Sequence, residues 1–389
     1  MGKEEVLVND PWDLATKIFE LKEVGSSEFK SSKIICDILH DHGFKVETNY
    51  KGIPTAFRAE KIKGNGNVTV AFLAEYDALL GIGHACGHNL ITAANTYGAI
   101  KASELIKDGK IVVIGTPDEE GTGEYAGSKI LLAERGGFED VDLILGAHPG
   151  AQWRIVGNSL AVQDLEITFK GFSSHEAASP QKGRSALDAA ILTYTGINML
   201  RQHLRRDANP VIHGVIREGG EASNVTPDRA VLVYGIRSSD MDYHKELLEK
   251  IEMVIKGCSI ATFTDFEIKK IGPVFSTVKH NRPLSELLYS IVKSKQIDVP
   301  DYEESLKELA GGSTDFSNVT HEKPALEIHF KIAPAGTPWH SKQSLEAANS
   351  EEAKKTLPVV IDVLSEAAVQ FSEDSELRKK IKDEFLITK

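Results

Sequence analysis

The sequence predicts a two-part α/β chain, in which a domain built on a mainly parallel sheet is interrupted by an inserted α+β domain of ferredoxin-like plan. Three observations predict it. Apolar runs at 68–74 (VTVAFLA), 111–115 (IVVIG) and 143–147 alternate with segments of helical periodicity, as buried parallel strands do. Between 164 and 271 the order becomes strand, helix, strand, strand, helix, strand, the split βαβ arrangement. The 389 residues exceed what one core ordinarily organises. The expected division is 1–163 and 272–389 for the first domain, with 164–271 inserted.

The elements follow in order. Asp10-Pro11 reads as a helix start, Asp capping and Pro in the first turn. Helical spacing continues through Ile18 and Leu21, and again through Ile34, Ile35, Ile38 and Leu39. Short strands are expected at 46–48 and 56–59, then the buried run 68–74. A helix over 89–106, the strand 111–115, a helix near 127–134 and the strand 143–147 complete the first stretch. Inside the insert, strands at 165–170, 211–216, 229–236 and 264–268 accompany helices at 185–204 and 243–255. Afterwards come a helix at 284–294, a turn-rich GGSTDFSNV and a strand at 325–330. A long helical region at 345–371, broken by Pro358, precedes a charged helical tail.

Composition excludes several functions. Net charge is −12, which argues against a nucleic-acid or anionic-membrane surface. No run approaches the ~20 apolar residues of a membrane span. Three widely spaced cysteines, Cys36, Cys86 and Cys258, imply no disulfide framework. The N-terminus MGKEEVLVNDPWDL has no apolar signal core. A cytoplasmic protein is expected.

Each apolar strand ends in a polar cluster: Asp77 to His88, Glu119-Glu120, and His148. Open α/β sheets bind ligands at the carboxyl ends of their strands. AEYDALLGIGHACGHNLI packs carboxylate, imidazole and thiol donors into a glycine-broken segment, the side chains that hold a zinc-like ion. Read alone, it is equally a loop with a buried cysteine. Adjacent Glu119 and Glu120 suit a hydrolase in which one carboxylate ligates an ion and the other moves the proton. Alone, they describe a solvated acidic pair at a helix N-terminus. His340, in the Trp339-His340-Ser341 loop, extends the donor supply.

Together with GTPDEEGTGE, LGAHPG, GFSSHEAASPQKGRSALDA, HGVIREGGEASNVTPD and GTPWHS, this segment resembles the amidohydrolase branch of the aminoacylase/carboxypeptidase metallopeptidases. The nearest group contains aminobenzoyl-glutamate utilisation protein B and β-alanyl-lysine dipeptidase. The resemblance spans nearly the whole chain, with the motifs in family order. It implies a metallopeptidase-type catalytic domain and an inserted lid that dimerises. It places Cys86, His88, Glu120, His148 and His340 as ligands of one or two zinc or manganese ions. It makes Glu119 the general base, and Asp77 either the orienter of a ligand or a capping carboxylate.

The resemblance further implies that His175, otherwise a surface or capping histidine, reaches the substrate carbonyl from the other copy of a dimer. Asn224 and Arg237 match positions holding the substrate carboxylate. Two departures stand out. Asn89 follows His88 where the branch often has Asp, a change expected to alter charge behind the ligands. Glu75 stands where many relatives outside the branch have a histidine ligand. The implied activity is hydrolysis of an amide in N-acyl-amino acids, aminobenzoyl-glutamate-like compounds or dipeptides; the alternative is a non-catalytic metal- or ligand-binding homologue.

Overall fold

The computed structural model describes residues 10–308 and 311–387; the residues 1–9 read above for a signal core lie outside them. The chain forms two compact units, the first from residues 10–158, 278–308 and 314–387. Ser159–Thr277 forms the second, with a short return at 311–313.

In the first unit, strands β1 (Lys45–Thr48), β2 (Phe57–Lys63), β3 (Thr69–Ala74), β4 (Gly109–Gly115), β5 (Leu143–Gly150) and β10 (Ala325–Lys331) make one sheet in the order β1-β2-β4-β3-β5-β10. The four strands β4, β3, β5 and β10 run parallel, and β1 and β2 add an antiparallel edge. Alternate residues serve two cores, as a sheet covered on both faces requires. Val70, Phe72, Val113 and Leu145 face one cluster, while Ala71, Leu73, Val112 and Ile144 face the other. Helices Pro11–Leu21, His88–Leu105, Arg282–Ser294 and Glu351–Glu373 contribute to the first cluster. Asp10 caps the opening helix, accepting the Trp12 and Asp13 amides.

One expectation fails. Pro358 lies within the unbroken helix Glu351–Glu373. The interruption comes instead at 348–350, where Ser350 caps the new helix through the Ala353 amide. Pro358 forfeits one backbone bond. Around it Leu357, Val360, Ile361, Val363 and Leu364 are buried, and that apolar face carries the helix through.

The second unit is a four-stranded antiparallel sheet of β6 (Ala161–Lys170), β7 (Val211–Glu218), β8 (Arg229–Ser238) and β9 (Asp265–Phe275), in the order β7-β8-β6-β9. Helices Ala186–Leu200 and Met241–Thr262 supply Ala189, Ile197, Leu247 and Ile251 to its core. Among the described residues, no helix is long and apolar enough to cross a membrane.

Candidate metal centre and catalytic turn

β3 ends at Ala74 in the middle of the sheet, so the next residues emerge beside the ends of β4 and β5. Residues 75–87 double back, and Gly87 then opens helix His88–Leu105 at φ +88°. Only glycine fits there, since a Cβ would drive into the Pro149 ring. His88 is thereby held fully buried at the helix start. Its Nδ1 lies 2.9 Å from Asp77 Oδ1 and 3.0 Å from the Asp77 carbonyl, which leaves Nε2 free. Asp77 Oδ2 also accepts the Glu120 amide at 3.0 Å, linking the β3 loop to the β4 turn.

The donors converge. Cys86 Sγ lies 3.5 Å from His148 Nε2, whose ring is oriented by Nδ1 against the Pro149 carbonyl at 2.7 Å. Glu120 Oε1 is 3.5 Å from His340 Nε2 and 3.9 Å from His88 Nε2. Glu119 Oε2 is 3.7 Å from His88 Nε2. Cys86, His88 and His148 form one mutually close set of donors, Cys86, Glu120 and His340 a second, and Glu75, His88 and Glu119 a third. The thiol belongs to the first two, and His88 to the first and the third. His340 sits at φ +56°, a left-handed conformation that a non-glycine residue adopts at a cost.

These residues fit divalent cations. His88 Nε2 and Glu120 Oε1 are buried and make no hydrogen bond. Buried polar atoms are ordinarily paired. Two donors bound tetrahedrally about 2.1–2.3 Å from one ion stand roughly 3.4–3.7 Å apart, which is the observed Cys86–His148 spacing. Burial holds the His148 imidazole down at about 4, so its nitrogen stays unprotonated and able to donate. Burial pushes the Cys86 thiol up, a proton that a neighbouring cation would displace. Asp77 is held at about 2: burial opposes this, but His88 and the Glu120 amide outweigh it.

Beside the donors lies a charge network that sequence reasoning missed. Lys129 is fully buried, its Nζ 2.9 Å from Glu75 Oε1 and paired with Asp315 Oδ1. The other Glu75 oxygen faces His88 Nε2 at 3.5 Å without a hydrogen bond. Burial would raise Glu75, yet Lys129 and the two histidines hold it below the ordinary carboxylate range. Burial and the Glu75 charge push Glu119 well above that range. Half-buried Glu327 is pushed up to about 8 by the same two causes. It stands on β10 opposite Gly146, and His329 stands opposite His148, the rings 5.5 Å apart. A lysine in the first turn of a helix opposes the helix dipole, which was the available signal for Lys129. Glu327 and His329 alternate in an otherwise apolar strand, a signal of the same kind.

Asn89 follows His88 as a neutral, fully buried side chain. Its amide donates to the carbonyls of Ala15 and Ala348 at 3.3 and 3.1 Å, a bond an ionised Asp could not make. In the second unit His175 is exposed, pairing backbone with Val225 and accepting the Ala177 amide. Exposed Asn224 lies alongside, its carbonyl accepting from Glu176. Arg237 is half-buried on β8 and donates to Ser313 Oγ at 3.2 Å.

A model of peptidase family M20/M25/M40 matches residues 72–370. The chain belongs to this family. It is a hydrolytic enzyme, as its relatives are. The Xaa-Arg dipeptidase of Mus musculus is 32% identical over 355 residues, covering 86% of this M20 chain and 80% of the relative. A p-aminobenzoyl-glutamate hydrolase component of Escherichia coli is 27% identical over 446 residues, covering 96% and 91%. Among solved structures, a dinuclear metal-binding M20 peptidase of Bacillus subtilis has the same fold, with a TM-score of 0.70 at 19% identity, covering 93% and 98%.

Proposed function

We propose that this M20 enzyme is a metal-dependent amidohydrolase acting on N-acyl-amino acids, aminobenzoyl-glutamate-like compounds or dipeptides. One observation carries the reading: five soft and hard donors from four separate segments meet, His88 Nε2 and Glu120 Oε1 among them buried without a hydrogen bond, and a further carboxylate, Glu119, stands beside them 3.7 Å from His88 Nε2. Cys86, His88, Glu120, His148 and His340 would hold zinc or manganese, one or two ions in each copy of the chain. When bound, such ions supply Lewis acidity and lower the pKa of a water molecule.

The chain's own residues do the rest. Glu119 takes a proton from the attacking water and delivers it to the leaving amine nitrogen, so the amide and water become an acid and an amine. Asp77 fixes the His88 ring so that Nε2 faces the centre. Arg237 and Asn224 bind the substrate carboxylate, a charge-assisted contact that selects for amino-acid leaving groups. His175 donates a hydrogen bond to the carbonyl oxygen as charge develops there. It does so from a partner copy, with Ser159–Thr277 serving as lid and dimerisation domain. The names of the dipeptidase and aminobenzoyl-glutamate relatives support this substrate class.

The test is a panel of acyl-amino acids and dipeptides with defined zinc, manganese and cobalt loading. Glu119→Ala should lose turnover and keep its metal; activity retained in that variant removes Glu119 from the role. Mixed Glu119→Ala and His175→Ala proteins should recover activity, and no recovery after proven exchange of copies refutes action across the dimer.

A further inference from the structure

The catalytic turn is held from a distance. Between helices Pro11–Leu21 and Phe29–Asp41 runs a short irregular segment, 23–28. It bonds to both loops that carry the candidate chemistry. The Ala78 amide, next to Asp77, donates to the Glu23 carbonyl at 2.8 Å. The Asp118 amide, next to Glu119, donates to Glu28 Oε1 at 2.9 Å. Ser26 Oγ donates to Asp118 Oδ2 at 2.5 Å and accepts the Tyr125 amide at 2.8 Å. The Gly25 amide donates to Thr122 Oγ1 at 3.2 Å. The fit leaves no room at Gly25, where a Cβ would collide with the Asp118 carboxylate.

What this segment restrains is a strained residue. Asp118 is fully buried at φ +57°, a left-handed conformation costing a non-glycine residue on the order of 1 kcal/mol or more. Its carboxylate closes the turn on itself by accepting the Thr122 and Gly123 amides. The backbone direction at Asp118 sets where the next two side chains, Glu119 and Glu120, leave the chain. Glu28 is itself fully buried, with Thr55 Oγ1 donating to its other oxygen at 3.0 Å. Nothing about the reaction requires an acid there, and both of these bonds come from neutral donors.

We infer that segment 23–28 is a brace for the catalytic turn, with Glu28 and Ser26 as positioning residues for Glu119 and Glu120. The inference rests on the roles proposed for those two carboxylates. Removing Glu28 strands the buried Asp118 amide and frees the turn to relax out of its left-handed conformation. Both carboxylates then swing from His88. A glutamine keeps the geometry, because its carbonyl accepts the Asp118 amide and its NH2 can donate to Thr55 Oγ1. Burial already pushes the Glu28 carboxyl up to about 7, so a neutral group is tolerated there.

The experiment compares Glu28→Ala, Glu28→Gln and Ser26→Ala in the full chain. Turnover is measured on the best panel substrate, and zinc affinity by competition with a chromophoric chelator. Glu28→Ala should lower kcat at least tenfold with KM changed less than threefold, and weaken zinc at least tenfold through Glu120. Glu28→Gln should stay within threefold on both. If Glu28→Ala keeps kcat and zinc affinity within twofold while only its melting temperature falls, the segment is scaffold and the inference is overturned. Equal losses in Glu28→Gln overturn it too. Should Glu28→Ala not fold, Ser26→Ala decides by the same two readouts, with an expected loss of threefold or more. A wild-type protein that hydrolyses nothing on the panel sinks the proposed function, and the zinc measurement then judges the brace alone.

Discussion

Two groups of ionisable side chains stand next to each other at the carboxyl end of the parallel sheet, and they are solved in opposite ways. In one, Lys129 sits between Glu75 and Asp315 and pairs with both, leaving only the Glu75 oxygen that faces His88 without a hydrogen bond. In the other, Cys86, His88, Glu120, His148 and exposed His340 draw close, and two of their buried atoms, His88 Nε2 and Glu120 Oε1, make no hydrogen bond. A buried charge that is paired is a finished structural element. Buried donors that are unpaired describe something still to be bound. Glu28 is a third case, a buried acid bonded to neutral donors.

Breaking the finished group should cost most. Lys129→Met leaves two carboxylates without their cation, and about 3–5 kcal/mol of stability should be lost. Urea unfolding of metal-free protein measures it, and Lys129→Met with Asp315→Asn should recover part. A metal-free Lys129→Met protein as stable as the parent would show that the pairing does not sustain the fold.

The unfinished group should respond to metal instead. Zinc at 100 to 1,000 times its dissociation constant should stabilise the parent by about 2.7–4.1 kcal/mol. Chelation should remove that gain. His340→Ala, at an exposed residue, should be about as stable as the parent once both are stripped, yet gain less from zinc; an equal gain would place the bound ion elsewhere.

The smallest effect belongs to Glu28 and concerns pH. Its folded pKa, about 7, lies above the ordinary carboxylate value, so the folded state holds a proton that the unfolded state has released. Stability should therefore be full below about pH 4.5 for this group, decline as pH rises toward 7, and level off above it. The decline should be on the order of 1–3 kcal/mol. Glu28→Gln should flatten that part of the pH–stability curve in metal-free protein. An unchanged slope would assign it to other carboxyls.

Much was legible because it is local. VTVAFLA, with Thr69 its one polar residue, and IVVIG read as buried strands, and Asp10-Pro11 carries its own capping chemistry. The donor residues announced themselves by type at strand ends. Other features depend on partners far along the chain. The charge that makes burial of Lys129 tolerable comes from Asp315, 186 residues away. The amide that explains Glu28 belongs to Asp118, 90 residues on. Asn89 looked like a change of charge near the ligands, but its amide is committed to Ala15 and Ala348.

The sequence by itself determined which segments become strands and helices, since periodicity and apolar runs are properties of neighbouring residues. It also determined which side chains could bind a cation. Only the tertiary structure decided which of the buried charges are matched and which are left open. That depends on distances between loops brought together by the folded sheet, and no run of neighbours encodes them.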